Sequence, residues 1–408
     1  MTPSVSLADA LEVLLRFGAL MLQAGNTAVR TRAWINAIAP KLGFEAASLN
    51  ASLDSITVSV RHGKGWLTAI QEIGPPGVNV LRIAQLERVA RTAHAENAPA
   101  EIAAELAKIE SGAHQYSLIQ IAAAVGLASA GFAFINGAGL PEILAAAIGG
   151  GSGQWLKSWL SHRRVNHYAV AALAAILASG VFVLVAAVGS YLGFRFAQYP
   201  AGFIASILFL VPGFPLLAGL FDLLQYQTVA ALSRLAYGMM ILLAVAFGLS
   251  IVVGLGGVDV TRQPPVELVY GLKLLFRGIA SFIAACAFAI LFNSSPRTAL
   301  VAGLLALGAN SLRLILIDIG MMPAPAAFFA ALSIGLVALL AERRLDVPPV
   351  AVTVAPVVIM IPGILAFETI VYFNQGQMLD ALRAFASCSF IVGALAIGLA
   401  TARVLSPR

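Results

Sequence analysis

The sequence predicts an α-helical polytopic membrane protein with ten transmembrane helices, arranged as two inverted five-helix repeats and preceded by a small α+β cytoplasmic domain. Of its 408 residues, 60% are hydrophobic and 11% charged, whereas an ordinary soluble protein carries about 25% charge. Long apolar stretches recur after residue 115, and one that contains Pro-Gly returns about 150 residues later. Most of the chain is therefore expected in a lipid bilayer.

The charge is distributed unevenly along the chain. Residues 1–115 hold ten Lys or Arg and ten Asp or Glu, so the net charge of +6 falls entirely in residues 116–408. A nucleic-acid partner would require a clustered basic stripe, which the neutral front end lacks. Cys286 and Cys388 lie in apolar segments with no CxxC or histidine companion, so we expect no metal and no cofactor.

For the front domain, residues 1–115, the sequence predicts helices together with a few strands. Helical spacing over 7–24 ends at Gly25-Asn26, and Thr27 can cap a second helix that ends at Gly43. A turn at residues 62–65 predicts two or three antiparallel strands. Asn79 is placed to cap a helix through His94, and another helix is predicted from Pro99 to about His114.

No cleavable signal peptide is predicted, because the apolar stretch Leu11–Leu22 is short and contains Glu12 and Arg16. The front domain is therefore expected to stay in the cytoplasm.

Ten apolar segments follow, each long enough for the roughly 20 residues that cross a hydrocarbon core. They are 116–135, 139–160, 166–188, 200–221, 228–256, 266–292, 297–317, 323–342, 348–372 and 378–404. The predicted domains are thus a front domain (1–115), a first membrane repeat (116–256), a linker (257–265) and a second membrane repeat (266–408).

Basic residues support this count and orientation. With both termini in the cytoplasm, eight of them fall at inner loops or ends and two at outer loops, as the positive-inside rule requires. The inner ones are Lys157, Arg163, Arg164, Arg297, Arg343, Arg344, Arg403 and Arg408, and the outer ones are Arg195 and Arg262.

The internal repeat is visible at two offsets. A shift of 150 places Pro212-Gly213 on Pro362-Gly363, and a shift of 156 places Gln154–Lys157 on Asn310–Arg313. Because each repeat has an odd number of spans, the two repeats must be inverted relative to each other. Inverted repeats with matching Pro/Gly-interrupted segments are typical of secondary transporters, in which broken helices form the substrate site near the midplane.

The two interrupted segments are the predicted substrate site. Proline removes a backbone donor, and irregular backbone at membrane depth is tolerated where it lines a cavity or is packed in protein. Pro215 suits the first turn of a new half-helix, whose N-terminus would attract a carboxylate. The competing interpretation is a pair of structural kinks. The predicted lining is Pro212, Gly213, Phe214 and Pro215 in the first segment, with Pro362, Gly363 and Ile364 in the second.

Several stretches resemble the threonine/serine exporter family of bacterial inner-membrane proteins. They are LVPGFPL with the following Asp222, the IPG at 361–363, and LMLQAGNTAVRTRAWI and IGPPGVN in the front domain. The resemblance implies export of small hydrophilic metabolites, threonine and serine above all, driven by the proton motive force. Some relatives of this family are linked to dicarboxylate efflux, with succinate as the example.

Two carboxylates are candidates for binding the substrate amine or carrying a proton. Asp222 follows Pro212 by ten residues, about 15 Å of helix, and Glu368 follows Pro362 by six, about 9 Å. An ionisable group inside a span is a functional hypothesis by default. The competing structural interpretations are an interfacial position for Asp222 and pairing with a cation at the outer boundary for Glu368.

Polar residues in two spans are further substrate-binding candidates. Gln154, Asn310 and Ser311 could bind substrate, although hydrogen bonding between helices is the commoner use of such side chains. The run GGGSGQ at 149–154 lacks the GK[ST] ending of a phosphate loop, so we expect close helix packing through Gly149 and Gly153.

The favoured function is a secondary transporter that exports threonine or serine with proton re-entry, in partnership with the bilayer, protons and a small-molecule substrate. A dicarboxylate exporter would instead use cations such as Lys157, Lys273, Arg277 or Arg313. The sequence also admits a membrane-anchored enzyme or sensor acting through residues 1–115, and a channel. No catalysis is expected, since there is no GxSxG elbow, and a homo-oligomer is compatible with the sequence.

Overall fold

A computed structural model describes residues 6–74, 77–93, 98–112, 114–163, 165–196, 199–256, 269–345 and 349–405. The chain forms two compact units. The first contains Met1–Gln115 and Pro215–Ala236, and the second contains Tyr116–Phe214 and Tyr237–Arg408. Each unit is described by itself.

The first unit begins with two helices, as predicted, and both are capped. Helix α1 (Leu7–Gln23) starts at a capping box in which Ser6 and Asp9 satisfy each other's backbone N–H groups. It ends before Gly25, whose φ of +98° is the left-handed conformation that glycine adopts without strain. Thr27 caps α2 (Ala28–Ile38), and a short 3₁₀ turn carries the chain to Gly43.

An antiparallel sheet of three strands follows, with order β1-β2-β3. The strands are β1 (Ala46–Ala51), β2 (Ser55–His62) and β3 (Gly65–Glu72). One face of β2 presents Ile56, Val58 and Val60 to the core with 0% exposure, as the alternation of the sequence predicts. The predicted strands are confirmed.

Two further helices complete the front of this unit. They are α3 (Val80–Thr92), capped by the Asn79 side chain as predicted, and α4 (Ala98–Ser111). His94, where the first was predicted to end, lies outside the described residues. The unit's hydrophobic core is shared by helices α1 to α4 and the sheet, and it also includes Ala230.

The second unit is helical. Its first set of helices is α5 (Leu118–Ile135), α6 (Leu140–His162), α7 (His167–Tyr191), α8 (Tyr199–Ala205), α9 (Gly213–Leu224) and α10 (Thr228–Gly256), of which α9 and α10 also contribute residues to the first unit. The second set is α11 (Tyr270–Leu291), α12 (Pro296–Asp318), α13 (Pro323–Leu345), α14 (Pro349–Val358), α15 (Gly363–Asn374) and α16 (Met378–Leu405).

Seven helices in the described residues are long and apolar enough to cross a membrane, and two bent pairs raise the number to as many as nine. This makes the chain a multi-pass membrane protein. Helix α6, which corresponds to the predicted second span, is not among the nine, so the tenth span stays a prediction. The predicted linker, 257–265, lies outside the described residues.

The two sets repeat the same order of elements. Helices α6 and α12 both have 23 residues, and α9 and α15 both have 12. One close contact also recurs: a methyl group added at Gly248 would collide with the Ala172 carbonyl, and one at Gly398 would lie 2.5 Å from the Phe328 carbonyl. These pairs are related by the sequence shifts of 150 and 156, so the repeat extends to packing. That the two sets are inverted stays a prediction.

Candidate functional site

Both Pro-Gly dipeptides interrupt helices. The segments before and after the first break, Pro200–Leu210 and Gly213–Leu224, are bent by 60°, and those around the second, Val352–Val358 and Gly363–Asn374, by 43°. At each break the glycine N–H donates to the carbonyl two residues earlier, at 2.7 Å for Gly213 and 2.8 Å for Gly363. The proline that precedes each glycine has no N–H to extend the earlier helix.

The two breaks pack against each other reciprocally. A methyl group added at Gly213 would lie 2.7 Å from Ile361 and 3.5 Å from Val358. One added at Gly363 would lie 3.2 Å from Val211 and 2.6 Å from Leu208. Each glycine thus meets the residues one and four positions before the other proline, which is the pattern of contacts about a local two-fold axis.

The predicted lining residues cluster around these two breaks. Pro212, Gly213, Phe214 and Gly363 are buried, whereas Pro215, Pro362 and Ile364 are half-buried. Pro215 lies in the first turn of α9, as predicted. At α15 no side chain caps the helix, since the residue at the cap is Pro362.

Asp222 belongs to the first unit. Its carboxylate is 0% exposed. Oδ1 accepts the backbone N–H of Ala28 at 3.0 Å, and Oδ2 lies 3.0 Å from Nη1 of Arg234 in an ion pair. Ala28 is the first residue of α2, so the carboxylate lies at a helix N-terminus, where negative charge is stabilised.

Arg234 was missed by the sequence interpretation. Its Nη2 donates to the Asn26 carbonyl at 2.6 Å, so it links Asp222 to the turn before α2. Nearby, Arg32 donates to both the Leu49 carbonyl and Gln227 Oε1, at 2.7 and 2.9 Å. Arg234 lies six residues inside an apolar segment, and an ionisable residue there is the signal that could have identified it.

Glu368 lies on α15, half-buried between the buried residues Phe367 and Thr369. It is on the half-helix that starts at the second break. A role for Asp222 or Glu368 in binding substrate or protons stays a prediction.

Gln154 lies on the face of α6 next to the first break. It is 4% exposed, and its Nε2 donates to Ser158 at 2.8 Å while Oε1 has no hydrogen-bond partner among the described residues. Three residues later, the Lys157 ammonium lies 5.8 Å from the centre of the Phe209 ring, within the range of a cation–π interaction.

The corresponding residues of the second set form a closed network. Asn310 is 0% exposed and donates to Ser281 Oγ at 2.7 Å, and its Oδ1 accepts from Arg313 at 2.8 Å. Arg277 is paired with Asp318 at 2.9 Å. Ser311 is half-buried on α12. Asn310 thus has the interhelical role that competed with substrate binding in the sequence interpretation.

The GGGSGQ run packs helices closely, as predicted. Methyl groups added at Gly149 and Gly153 would lie 2.5 and 2.7 Å from atoms of Ala178 on α7. The run therefore brings the backbones of α6 and α7 together.

The IGPPGVN stretch is held against the end of α1. The Gly77 N–H donates to the Gln23 carbonyl and the Asn79 N–H to the Ala24 carbonyl, both at 3.0 Å. The two front-domain stretches that carry the resemblance are thus in contact, which supports a structural role. Pro75 and Pro76 lie outside the described residues.

Across the described ranges, no group of three or more His, Cys, Asp or Glu side chains is arranged to hold a metal ion. Cys286 and Cys388 are both free thiols.

These features define the class: a multi-pass helical membrane protein with two broken helices that meet. Comparison with known families then identifies the chain more closely. The family model "Putative threonine/serine exporter" matches residues 12–256, and "Threonine/Serine exporter, ThrE" matches residues 277–405. The chain belongs to the threonine/serine exporter family.

Two curated relatives illustrate the range of similarity. A threonine/serine exporter of Corynebacterium glutamicum is 23% identical over the whole chain and 84% of its own length. An uncharacterised protein of Haemophilus influenzae is 31% identical over 34% of this chain, and the match spans half of that protein. No solved structure matches.

Proposed function

We propose that this protein is a secondary transporter that exports threonine and serine across the bacterial inner membrane in exchange for protons. The reciprocal packing of the two Pro-Gly breaks carries the proposal. Broken helices that meet in a membrane protein with an internal repeat are the arrangement in which transporters bind substrate. Membership of the exporter family supports the amino-acid substrate. Neither family description names a dicarboxylate, so the succinate hypothesis has no support.

The breaks supply groups that suit an amino acid. Helices α9 and α15 start at Gly213 and Gly363, and their N-termini attract a carboxylate. Irregular backbone next to each proline leaves carbonyl groups for an ammonium. Phe214, Pro215 and Ile364 are the apolar lining beside these groups, and Gln154 and Ser311 are the candidate hydrogen-bonding side chains.

Export would then proceed by alternating access. The two sets of helices, inverted relative to each other, would rock about the local two-fold axis at the breaks and open the site to each side in turn. Both termini are proposed to lie in the cytoplasm, on the side where most basic loop residues fall.

The decisive experiment uses proteoliposomes that contain the purified chain and labelled L-threonine. Efflux should accelerate when a proton gradient directed inward is imposed, and labelled succinate should stay inside. Efflux of threonine that ignores the gradient would contradict proton coupling. No efflux of threonine, in vesicles with verified insertion, would contradict the function itself.

Glu368 is the proposed proton carrier, because it is an ionisable side chain on the half-helix that follows the second break. Glu368→Gln should remove the acceleration by the proton gradient while exchange of threonine for threonine continues. Glu368→Asp is the matched control, since it keeps a titratable carboxyl and should keep the acceleration. If Glu368→Gln responds to the gradient as the wild type does, Glu368 is not the coupling group.

A further inference from the structure

Two buried polar atoms near the first break lack hydrogen-bond partners among the described residues. They are Ser129 Oγ on α5 and Gln154 Oε1 on α6, in side chains that are 1% and 4% exposed. Buried polar groups are nearly always paired, so an unpaired one requires an explanation such as a ligand. Two unpaired atoms on neighbouring helices strengthen the case for a ligand between them.

Gln154 lies on one face of α6, and Ser129 of α5 packs against the same face. This face consists of Gly149, Gly150, Gly153, Gln154 and Lys157, which follow one another at helical spacing. Besides α7, it lies against Ser129, Ser206 and Phe209. A methyl group added at Gly150 would collide with Ser129 Oγ and lie 3.3 Å from the Ser206 carbonyl.

The same face reaches the first break through Phe209. A methyl group at Gly153 would lie 3.1 Å from the Phe209 ring, over which the Lys157 ammonium lies. Phe209 is three residues before Pro212, so the unpaired atoms and this cation adjoin the interrupted backbone. Within the described residues, Lys157 forms no ion pair.

The second set shows what the positions corresponding to Gln154 and Lys157, which are Asn310 and Arg313, do when they are structural. There, Asn310 and Ser281 bond to each other, and Arg313 donates to Asn310. Helix packing at this level therefore does not require unpaired groups. The first set keeps an amide oxygen and a hydroxyl that no described residue pairs, beside a cation that forms no ion pair within the described residues.

We infer that, beside the backbone groups of the first break, Lys157, Gln154 and Ser129 bind the carboxylate, the ammonium and the side-chain hydroxyl of the exported amino acid, and that Asn310 does not bind it. The inference rests on the proposed function and identifies its binding groups. Residues three apart on a helix are neighbours, with about 5–6 Å between their Cβ atoms. Lys157 and Gln154 can therefore reach two groups on one α-carbon.

The test is a competition assay that requires no proton gradient. Proteoliposomes loaded with unlabelled L-serine take up labelled L-serine by exchange, and external L-serine, L-alanine or ethanolamine competes for uptake. Alanine lacks the hydroxyl of serine, and ethanolamine lacks the carboxylate. The wild type should prefer serine to each analogue by about tenfold or more, because each analogue leaves a buried group unpaired.

Ser129→Ala should bring the serine-to-alanine preference to about one, since no hydroxyl then remains to be paired. Competition by alanine should be little changed. Ser179→Ala is the matched control: this buried serine donates to the Ala175 carbonyl at 2.6 Å on α7 and should leave the preference at its wild-type value.

Lys157→Gln should lose most of the serine-to-ethanolamine preference, about tenfold, whereas Lys157→Arg should retain it because arginine keeps the charge. A purely structural defect would reduce uptake without changing either preference.

The outcomes separate the inference from the proposed function. If wild-type vesicles do not exchange serine, the proposed function fails. If they do, and Ser129→Ala and Lys157→Gln keep the wild-type preferences, only the assignment of these residues fails.

Discussion

The two sets of helices share their backbone but not their polar side chains. Both carry a Pro-Gly break, a 23-residue helix before it and a 12-residue half-helix after it. In the second set, Asn310 belongs to a closed hydrogen-bond network, whereas in the first set Gln154 and Ser129 keep atoms that no described residue pairs. Duplication has preserved the residues that shape the backbone, and the side chains between them have diverged.

The hairpins that follow the breaks differ in the same way. Asp222 on α9 and Arg234 on α10 form a buried ion pair, while the corresponding positions on α15 and α16 are Tyr372 and Ala384. In the first hairpin this pair also bonds the turn and first residue of α2. Only one of two similar hairpins has thus acquired the charges that join it to the front-domain helices.

The largest expected effect concerns this pair. Asp222→Ala should lower the free energy of unfolding of the first unit by about 3–5 kcal/mol, because Arg234 is left buried without its counter-charge. The Ala28 N–H also loses its acceptor. Chemical unfolding of the purified protein in detergent, followed through the four tryptophans, measures the change.

Tyr372→Ala, at the corresponding position of the second hairpin, is the comparison. This tyrosine is half-buried, and its replacement removes no buried charge, so the loss should be clearly smaller. Equal losses would mean that the two hairpins do not differ as the ion pair indicates.

A second prediction tests the reciprocity of the breaks. Gly213→Ala and Gly363→Ala each add a methyl group within 3.0 Å of the opposite segment. Each substitution should lower the free energy of unfolding by about 1–3 kcal/mol through overpacking. Each should also slow threonine efflux. Because the contacts of the two glycines are reciprocal, the two losses of stability should agree within measurement error.

Gly180→Ala is the control for these variants. Gly180 lies within α7, and a methyl group there would meet nothing within 4 Å. The free energy of unfolding should therefore rise by up to about 1 kcal/mol, because alanine is favoured over glycine inside a helix. If only one of the two break variants destabilises the protein, the contacts are not equivalent and the two-fold relation does not hold.

The sequence predicted those parts of the fold that depend on local chemistry. Gly25, Thr27 and Asn79 mark helix ends because glycine adopts a positive φ and short polar side chains cap backbone N–H groups. The Pro-Gly breaks were predictable for the same reason. Whether a helix such as α6 crosses the membrane was harder to judge, since its glycines pack against neighbouring helices.

The candidate site was predictable only in part. Two prolines and two glycines, repeated at a fixed offset, identified the breaks. The partners of Asp222 could not be predicted, because Ala28 is 194 residues away in sequence and contributes a backbone N–H, which every residue type except proline carries. Ser129 gave no signal of its own, since a serine in an apolar helix usually bonds to its own backbone.

The third prediction, which includes the smallest expected effect, separates structural from functional amides. Asn310→Ala should lower the free energy of unfolding by about 1–3 kcal/mol, because Ser281 and Arg313 lose a buried partner. Gln154→Ala should cost less than about 1 kcal/mol, since the lost oxygen has no partner among the described residues and Ser158 is half-buried.

The effects on transport should fall in the opposite order. Gln154→Ala should slow threonine exchange more than Asn310→Ala does when both are measured at equal amounts of folded protein. Thermal unfolding and threonine exchange, measured on the same preparations, rank the two variants by loss of stability and by loss of transport. If Asn310→Ala loses the most stability and also the most exchange, the closed network itself takes part in transport, and the functional difference between the two sets disappears.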